Sequence, residues 1–476
     1  MRYDVVIVGA GTAGIPCALE AAVGGLRVLL VDKADQVGGT LHLSGGHLAG
    51  AGTRRQQQRG IEDHPDWHYD DIMRIGRGRA NRAVLRRAVD LAAGTIDWLD
   101  KLGLAQAETS PRVVYGHEPY RVARTHYGTD EARSILQLLE PRLAAAVRRG
   151  AVDLWLSSPV LGLRREPGAG VYGVTVDRVG VGTVHVEAGA VVLATGGYGA
   201  NPELFDELEG HPLYSVANPQ ATGDGILLAR AVGGAVAGRG LFLPTFGGIP
   251  DPHDPGRTLW SERTHLVATE RPPWEIYVAN DGRRFVAEDE PSIDAKERAL
   301  LAHGSDMTFH VVIDTRGLRD GLPLLLGGSP EGIEGAANHR DGFVAADTVA
   351  ELAERAGIVP ANLERTIGDY NDAVTAGRPD PFGRQHRPAP LVEPPFYAIR
   401  NHGTTVITFA GVDIDDSFAV LDDSGMRIPG LYAVGEVIGA GATMGNAFCG
   451  GMTLTPALAF GRDLGVRLAA GESRPR

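Results

Sequence analysis

The glycine-rich turn Gly9-Ala10-Gly11-Thr12-Ala13-Gly14, set between an apolar run and a helical segment, constrains the fold of this chain more than any other feature. Five of the six residues from Val5 to Ala10 are apolar, the mark of a strand buried on both faces of a parallel sheet. Ile15–Val23 then has helical spacing, Gly24-Gly25 ends the helix, and Arg27–Val31 is a second apolar strand closed by Asp32. This is a βαβ unit. Gly9 permits the tight turn, Gly11 lets a pyrophosphate approach the backbone, and Gly14 lets helix and strand pack closely. The helix N-terminus offers free N–H groups to phosphates, and Asp32 accepts hydrogen bonds from a ribose diol. The expected fold class is therefore α/β, with a Rossmann-like dinucleotide-binding domain.

A chain of 476 residues has room for two to four domains. The net charge of −13, with no basic stripe, argues against nucleic acid as a partner. Cys17 and Cys449 are the only cysteines, so neither a disulfide framework nor a structural zinc site is expected, and no metal site is assigned. No window of about eighteen apolar residues predicts a membrane span. The first strand starts within a few residues of Met1, leaving no room for a leader, and a reducing cytoplasm is the expected location.

After Asp32 the chain enters the glycine-rich loop Lys33–Gly52 and then a long polar and helical region, Arg54–Leu102. A nicotinamide dehydrogenase would run on into another strand here, so the departure favours FAD over NAD. A second cofactor element is Ala190–Asn201, where an apolar strand ends in Ala194-Thr195-Gly196-Gly197; a third glycine turn is Ala221–Gly225. From Gly238 the prolines multiply, and Tyr277–Val278 with Arg284–Val286 read as a hairpin around Asp281-Gly282. His310–Ile313 reads as a strand, and Thr348–Ala356 and Leu363–Thr375 as helices. The expected organisation is a cofactor domain over 1–237, an inserted α+β capping domain over 238–363, and a return to the cofactor domain over 364–476. The return has strands at Phe396–Ile399, Thr405–Thr408, Gly411–Ile414 and Leu431–Val434. Val434-Gly435-Glu436 and a helix from Thr453 to about Leu468 follow, and Gly471–Arg476 reads as a disordered tail.

In order and spacing these motifs resemble the fumarate reductase and 3-ketosteroid dehydrogenase superfamily of FAD proteins, closer to the ketosteroid dehydrogenase branch. Gly9–Gly14 with Asp32, Gly38-Gly39-Thr40 to Gly46, Ala194–Gly197, Ala221–Gly225, Arg284–Glu288 and Tyr432–Glu436 carry the likeness. It implies a non-covalent FAD, since the position of the family's flavin-linked histidine is Leu41 here, and a substrate held between two domains. The cofactor contacts expected on this reading are Gly9, Gly11, Thr12, Ala13, Gly14, Asp32, Lys33, Gly39, Thr40, Ser44, Gly45, Gly46, Ala194, Thr195, Gly196, Asp224, Gly435, Glu436, Thr453 and Leu454. The implied chemistry moves two hydrogens across a C–C bond beside an electron-withdrawing group, one as hydride and one as a proton. With no second Rossmann fingerprint visible, electrons pass to or from an external carrier.

The departures define the expected substrate. A His-Pro-Thr triplet of the fumarate reductases is Leu243-Pro244-Thr245, their His-His pair is Val406-Ile407, and their last Asn-Arg is Ala447-Phe448. Their proton-donating arginine is replaced by Pro291-Ser292-Ile293-Asp294. A dicarboxylate would be buried unpaired at a cost of several kcal/mol, so a small, mostly apolar cyclic ketone is the favoured substrate. The alternatives are an unsaturated carboxylate anchored by Arg121 or Arg124, and a flavin protein that has lost catalysis. Ketosteroid dehydrogenases have Glu-x-x-Pro-Tyr where this chain has Glu288 to Ser292, and a tyrosine hydroxyl with a glycine N–H where it has Phe448, Gly450 and Gly451. Tyr115, Tyr120 and Tyr127 lie in a loop where that branch places another active-site tyrosine. The expected catalytic set is Tyr120, Tyr127, Ser292, Phe448, Gly450 and Gly451, with Tyr120 either donating to a carbonyl or, as a tyrosinate whose pKa Arg121 and Arg124 lower, accepting a proton, and with Ser292 alternatively only the cap of the helix that follows it. His126 is expected to buttress its loop, and Cys449 to be a small buried hydrophobe.

Overall fold

The computed structural model describes residues 1–114, 117–166, 170–304 and 306–471, so Tyr115 and the tail beyond Gly471 lie outside the described residues. The first strand, Arg2–Val8, pairs in parallel with Val28–Val31 on one side and with Gly182–Leu193 on the other, setting Val5 opposite Val28 and Val6 opposite Val191. Arg427–Ala433 extends the sheet beyond Gly182–Leu193, and Val152–Trp155 extends it beyond Val28–Val31, both in parallel. All four residues of Val28–Val31 are buried, as an apolar run without alternation requires. The helix Gly14–Val23 follows the glycine turn, and the closing helix Leu454–Ala469 packs against it. Contact is close because the closing helix presents glycines: a Cβ on Gly461 would sit 2.1 Å from the Ala13 carbonyl oxygen.

The contacts divide the chain into two compact units. The first comprises Met1–Glu209, Ala217–Phe242 and Ile407–Arg476; the second comprises Gly210–Val216 and Leu243–Val406. The second is built on an antiparallel sheet in the order Ile276–Ala279, Thr308–Asp314, Phe396–His402, Phe343–Ala346. The helices Val349–Ala356 and Pro360–Thr375 place Leu352, Leu363, Ile367 and Tyr370 in one core with Ile276, Val312 and Phe396.

Three expectations are corrected here. The second unit ends at Val406 rather than 363, because Phe396–His402 is an interior strand of its sheet and Leu363 belongs to its core. The expected hairpin around Asp281-Gly282 is cut to its turn and one antiparallel bridge, Val278 to Arg284, and the extended partner of Ile276–Ala279 is Thr308–Asp314. Thr405–Thr408 is no strand either; Thr404 and Thr405 make single bridges to Thr245 and Ser215.

Candidate active site

The glycine turns of the first unit converge. Gly9 has φ +108°, and a Cβ there would lie 2.3 Å from the Ala194 carbonyl oxygen, bringing the Ala194-Thr195-Gly196 turn against the first. A Cβ on Gly14 would lie 1.8 Å from the Gly9 carbonyl oxygen, so only glycine fits. Gly11 differs: its nearest neighbour would be the Gly39 Cα at 4.0 Å, which leaves open the face where the helix N-terminus presents its N–H groups. The Gly38 N–H donates to the Ala10 carbonyl at 2.8 Å and folds the Lys33–Ser44 loop back over the turn, with the Thr40 and Thr12 hydroxyls 3.4 Å apart.

Asp32 accepts from the Ala10 N–H at 2.6 Å and the Ala34 N–H at 2.8 Å, which fixes its carboxylate at the end of the second strand. Lys33 donates to Thr222 and, at 2.8 Å, to Asp224, tying the third glycine turn to this loop. Gly46 donates to the Ser44 hydroxyl at 3.2 Å, while a Cβ on Gly45 would meet nothing within 4 Å. Gly435, φ +84°, lies against Ala13, since its Cβ would be 3.0 Å from the Ala13 Cβ. Glu436 accepts from the Thr408 N–H at 3.0 Å and hydroxyl at 2.9 Å, and burial raises its pKa. Gly435, Glu436 and Thr453 line one small cavity with Pro456 and Phe460, and Leu454 is buried beside Thr453. The expected cofactor positions of the first unit thus form a connected set of turns.

Of the expected catalytic residues, Tyr120 and Gly450 are in direct contact, while Tyr127 and Ser292 bond to other partners. Tyr120 is buried and donates to the Gly450 carbonyl at 2.7 Å. Its ring meets the edge of His68, whose two ring nitrogens have no partner among the described residues. Arg124 is fully buried and spent on two carboxylates: Nη2 meets Asp63 at 2.8 Å and Nη1 meets Asp71 at 2.9 Å. Arg121 Nε meets Asp71 at 2.6 Å. These carboxylates balance the cations, and burial drives the Tyr120 pKa well above 10. Of the two roles expected of Tyr120, this environment favours the hydrogen-bond donor and opposes the tyrosinate.

Tyr127 directs its hydroxyl to Thr109, with the Arg112 guanidinium 4.9 Å over its ring and His47 edge-on to it. Ser292, in the second unit, is the N-cap of the helix Ile293–His303, accepting from the Ala295 N–H at 3.2 Å, the capping role expected as the alternative to a catalytic one. Phe448 stacks on His117 at 4.4 Å. Gly451, φ +79°, presses on the Leu48–Ala49 backbone, where a Cβ would be 2.4 Å from the Ala49 nitrogen. His126 buttresses its loop as expected, bonded to Thr53 at 3.3 Å and Gln106 at 3.1 Å, and burial lowers its pKa to about 3. Cys449 is buried.

Two features escaped the sequence. Glu209 accepts from the Phe409 and Ala410 N–H groups at 3.2 and 3.1 Å and from the Tyr198 hydroxyl, clamping the turn that Glu436 holds from its other end. No local pattern announces a contact spanning 200 residues. In the second unit, Arg284 pairs with Glu288 and, at 2.6 Å, with Asp380, while Arg384 meets Glu288 at 3.0 Å, all buried. The Arg284–Glu288 motif is therefore the centre of a closed ion network.

Residues 4–453 match the family model described as FAD binding domain. A probable fumarate reductase of Shewanella frigidimarina is 30% identical over 470 residues, covering 98% of this chain and 74% of that protein. A vinyl phenol reductase of Lactiplantibacillus plantarum is 26% identical, covering 91% of this chain and 89% of that protein. The structure of 3-ketosteroid Δ1-dehydrogenase from Sterolibacterium denitrificans superposes with a TM-score of 0.78 at 23% identity, covering 99% of this chain and 100% of that one, a likeness of fold. The cradle fits FAD on its own geometry: the face at Gly11 is open, and the buried Thr195 hydroxyl has no partner among the described residues. No helix among the described residues is long and apolar enough to cross a membrane.

Proposed function

We propose that this chain, which belongs to the FAD binding domain family, moves two hydrogens across the C–C bond beside the carbonyl of a small, mostly apolar cyclic ketone or enone. It is an FAD-dependent oxidoreductase, and its relatives include reductases and dehydrogenases acting on C–C double bonds. The single observation that carries the substrate class is the fate of the arginines. Arg124, Arg271, Arg284 and Arg384 are all buried against carboxylates, and apolar Leu243, Val406, Ile407 and Phe448 stand where the likeness to fumarate reductases calls for polar anchors. A buried dicarboxylate would lack partners, whereas a neutral ketone needs one or two N–H donors.

FAD bound in the cradle supplies the two-electron acceptor or donor for the hydride. Gly450 and Gly451 provide the backbone that receives the ketone oxygen. Tyr120 acts through them: its hydroxyl fixes the Gly450 carbonyl, and because the peptide is planar this fixes the direction of the Gly451 N–H. Phe448, held by His117, gives this region an apolar surface. Tyr127 takes the proton-transfer role that Tyr120 cannot fill, its hydroxyl oriented by Thr109 beneath the Arg112 charge. Electrons are exchanged with an external carrier, and a cytoplasmic location is retained as part of the proposal.

A second reading, reduction of an unsaturated carboxylate, is favoured by the fumarate reductase relative that covers 98% of the chain. Anaerobic stopped-flow mixing of the photoreduced protein with cyclohexenone and with fumarate separates the two. Reoxidation of the flavin by the enone and not by the acid is expected. Reoxidation by the acid and by no ketone overturns the first reading, and bleaching or reoxidation by neither class leaves a flavin carrier.

A further inference from the structure

The first unit contains a cavity of about 160 Å³ that the cofactor reading does not use. One wall is formed by Arg79, Asn81 and Val84, another by Val412, Asp413 and Ile414, and Ile438, Gly441 and Ala442 close the back. The walls are fixed by the main chain. Asn81 N–H donates to the Ala442 carbonyl at 3.0 Å, and Asp413 N–H donates to the Ala235 carbonyl at 2.9 Å. A Cβ on Gly411 would lie 2.0 Å from the Gly439 nitrogen, so strand and back wall are in contact and the hollow is preformed.

Two opposite charges line it, an exposed Arg79 and a half-buried Asp413, and they do not pair with each other. The Arg79 guanidinium has no hydrogen-bonded or ion-paired partner among the described residues, although Arg74, Arg86 and Arg87 nearby in sequence all have one. The Asp413 carboxylate is half-buried, its pKa is raised by burial, and it accepts from the Ile414 N–H, with no ion-pair partner among the described residues. Arg79 and Asp413 therefore line one cavity without pairing with each other, and the larger side chains that share its lining are apolar: Val84, Leu241, Val412, Ile414 and Ile438. Asn81 spends its side-chain oxygen on the Ala83 and Val84 N–H groups, leaving its NH₂ as a second donor beside Arg79.

We propose that this cavity binds a small zwitterion, an α-amino acid with an apolar side chain, its carboxylate on Arg79 and Asn81, its ammonium on Asp413 and its side chain against the apolar residues between. The size agrees, since drug-sized ligands occupy roughly 300–1,000 Å³ and this hollow holds one compact molecule. Charge assignment excludes simple anions, which Asp413 repels, and simple amines, which Arg79 repels. The back wall belongs to the segment between Glu436 and Gly450, so an occupant touches the chain that carries both the cofactor and the ketone-facing backbone.

The test is calorimetric titration of the flavin-loaded full chain with L-leucine, alongside 3-methylbutylamine and 4-methylpentanoate, which lack its carboxylate and its ammonium respectively. Saturable binding of leucine is expected, with each analogue weaker by about tenfold or more. Arg79→Gln and Asp413→Asn each weaken leucine by about tenfold or more while flavin content and melting temperature of the free protein stay unchanged. Arg79→Lys recovers part of the affinity, and Val84→Phe, which fills the hollow with a larger side chain, abolishes binding. Absence of saturable leucine binding, or binding that R79Q and D413N both retain in full, overturns the proposal; neither result touches the ketone reading, which is judged by flavin reoxidation.

Discussion

The cofactor cradle and the tyrosine-bearing face beside it occupy the same unit, yet they are built by different physics. In the cradle the residues that matter do so because they have no side chain: Gly9 and Gly14 stand where a Cβ would meet backbone at 2.3 and 1.8 Å. Around Tyr120 every role is set by partnership. Arg124 is spent on Asp63 and Asp71, and Tyr120 on the Gly450 carbonyl. A glycine's function is thus intrinsic to its residue type, while an arginine's or tyrosine's depends on which carboxylate or carbonyl reaches it first.

Gly14→Val attacks the first half of that contrast and carries the largest expected effect. The added side chain has no room against Gly9, so flavin is lost together with at least about 4 kcal/mol of stability. The flavin-to-protein absorbance ratio and urea unfolding read both, and a flavin-replete, stable variant breaks the comparison. Arg124→Ala attacks the second half by removing the buried cation shared by Asp63 and Asp71, which leaves Asp63 without an ion-pair partner among the described residues, at a cost of about 3–5 kcal/mol, whereas Arg121→Ala, at an exposed side chain, costs about 0.5 kcal/mol or less. Equal losses in the two variants would show that burial of the pair does not set its importance.

Acid sharpens the contrast next. His126 has its pKa lowered to about 3 by burial, against about 6.5 in the unfolded chain. Below pH 6.5 the unfolded state takes up a proton the native state refuses, so stability is complete above pH 6.5 and declines toward pH 3, by about 1.4 kcal/mol per pH unit for this residue. The stability difference between pH 7 and pH 5 should accordingly shrink by about 2 kcal/mol in His126→Gln; an unchanged difference means His126 is protonated in the fold.

Tyr120→Phe removes one hydrogen bond, about 1 kcal/mol, and is expected to lower kcat about fivefold at nearly constant KM without altering the alkaline limb of the pH profile. Loss of an alkaline limb would restore Tyr120 as a base. Ser292→Ala is expected to cost about 1 kcal/mol of stability through the lost cap and to leave kcat unchanged; a collapse in kcat with stability intact would return Ser292 to the catalytic set.

The sequence by itself determined the βαβ unit, its terminal acid, the Ala194–Gly196 and Gly435-Glu436 turns and the choice of FAD, because each depends on glycines that tolerate positive φ or backbone contact and on apolar runs that read locally. The tertiary structure decided where the second unit ends, since the strand Phe396–His402 finds its partner at Thr308–Asp314, far upstream. It also decided that Tyr120 holds a carbonyl rather than taking a proton, that Arg124, Arg271, Arg284 and Arg384 are paired with buried carboxylates, and that Glu209 clamps a turn 200 residues away. Those outcomes depend on burial and on which charges meet, and neither is a property of any window of the chain.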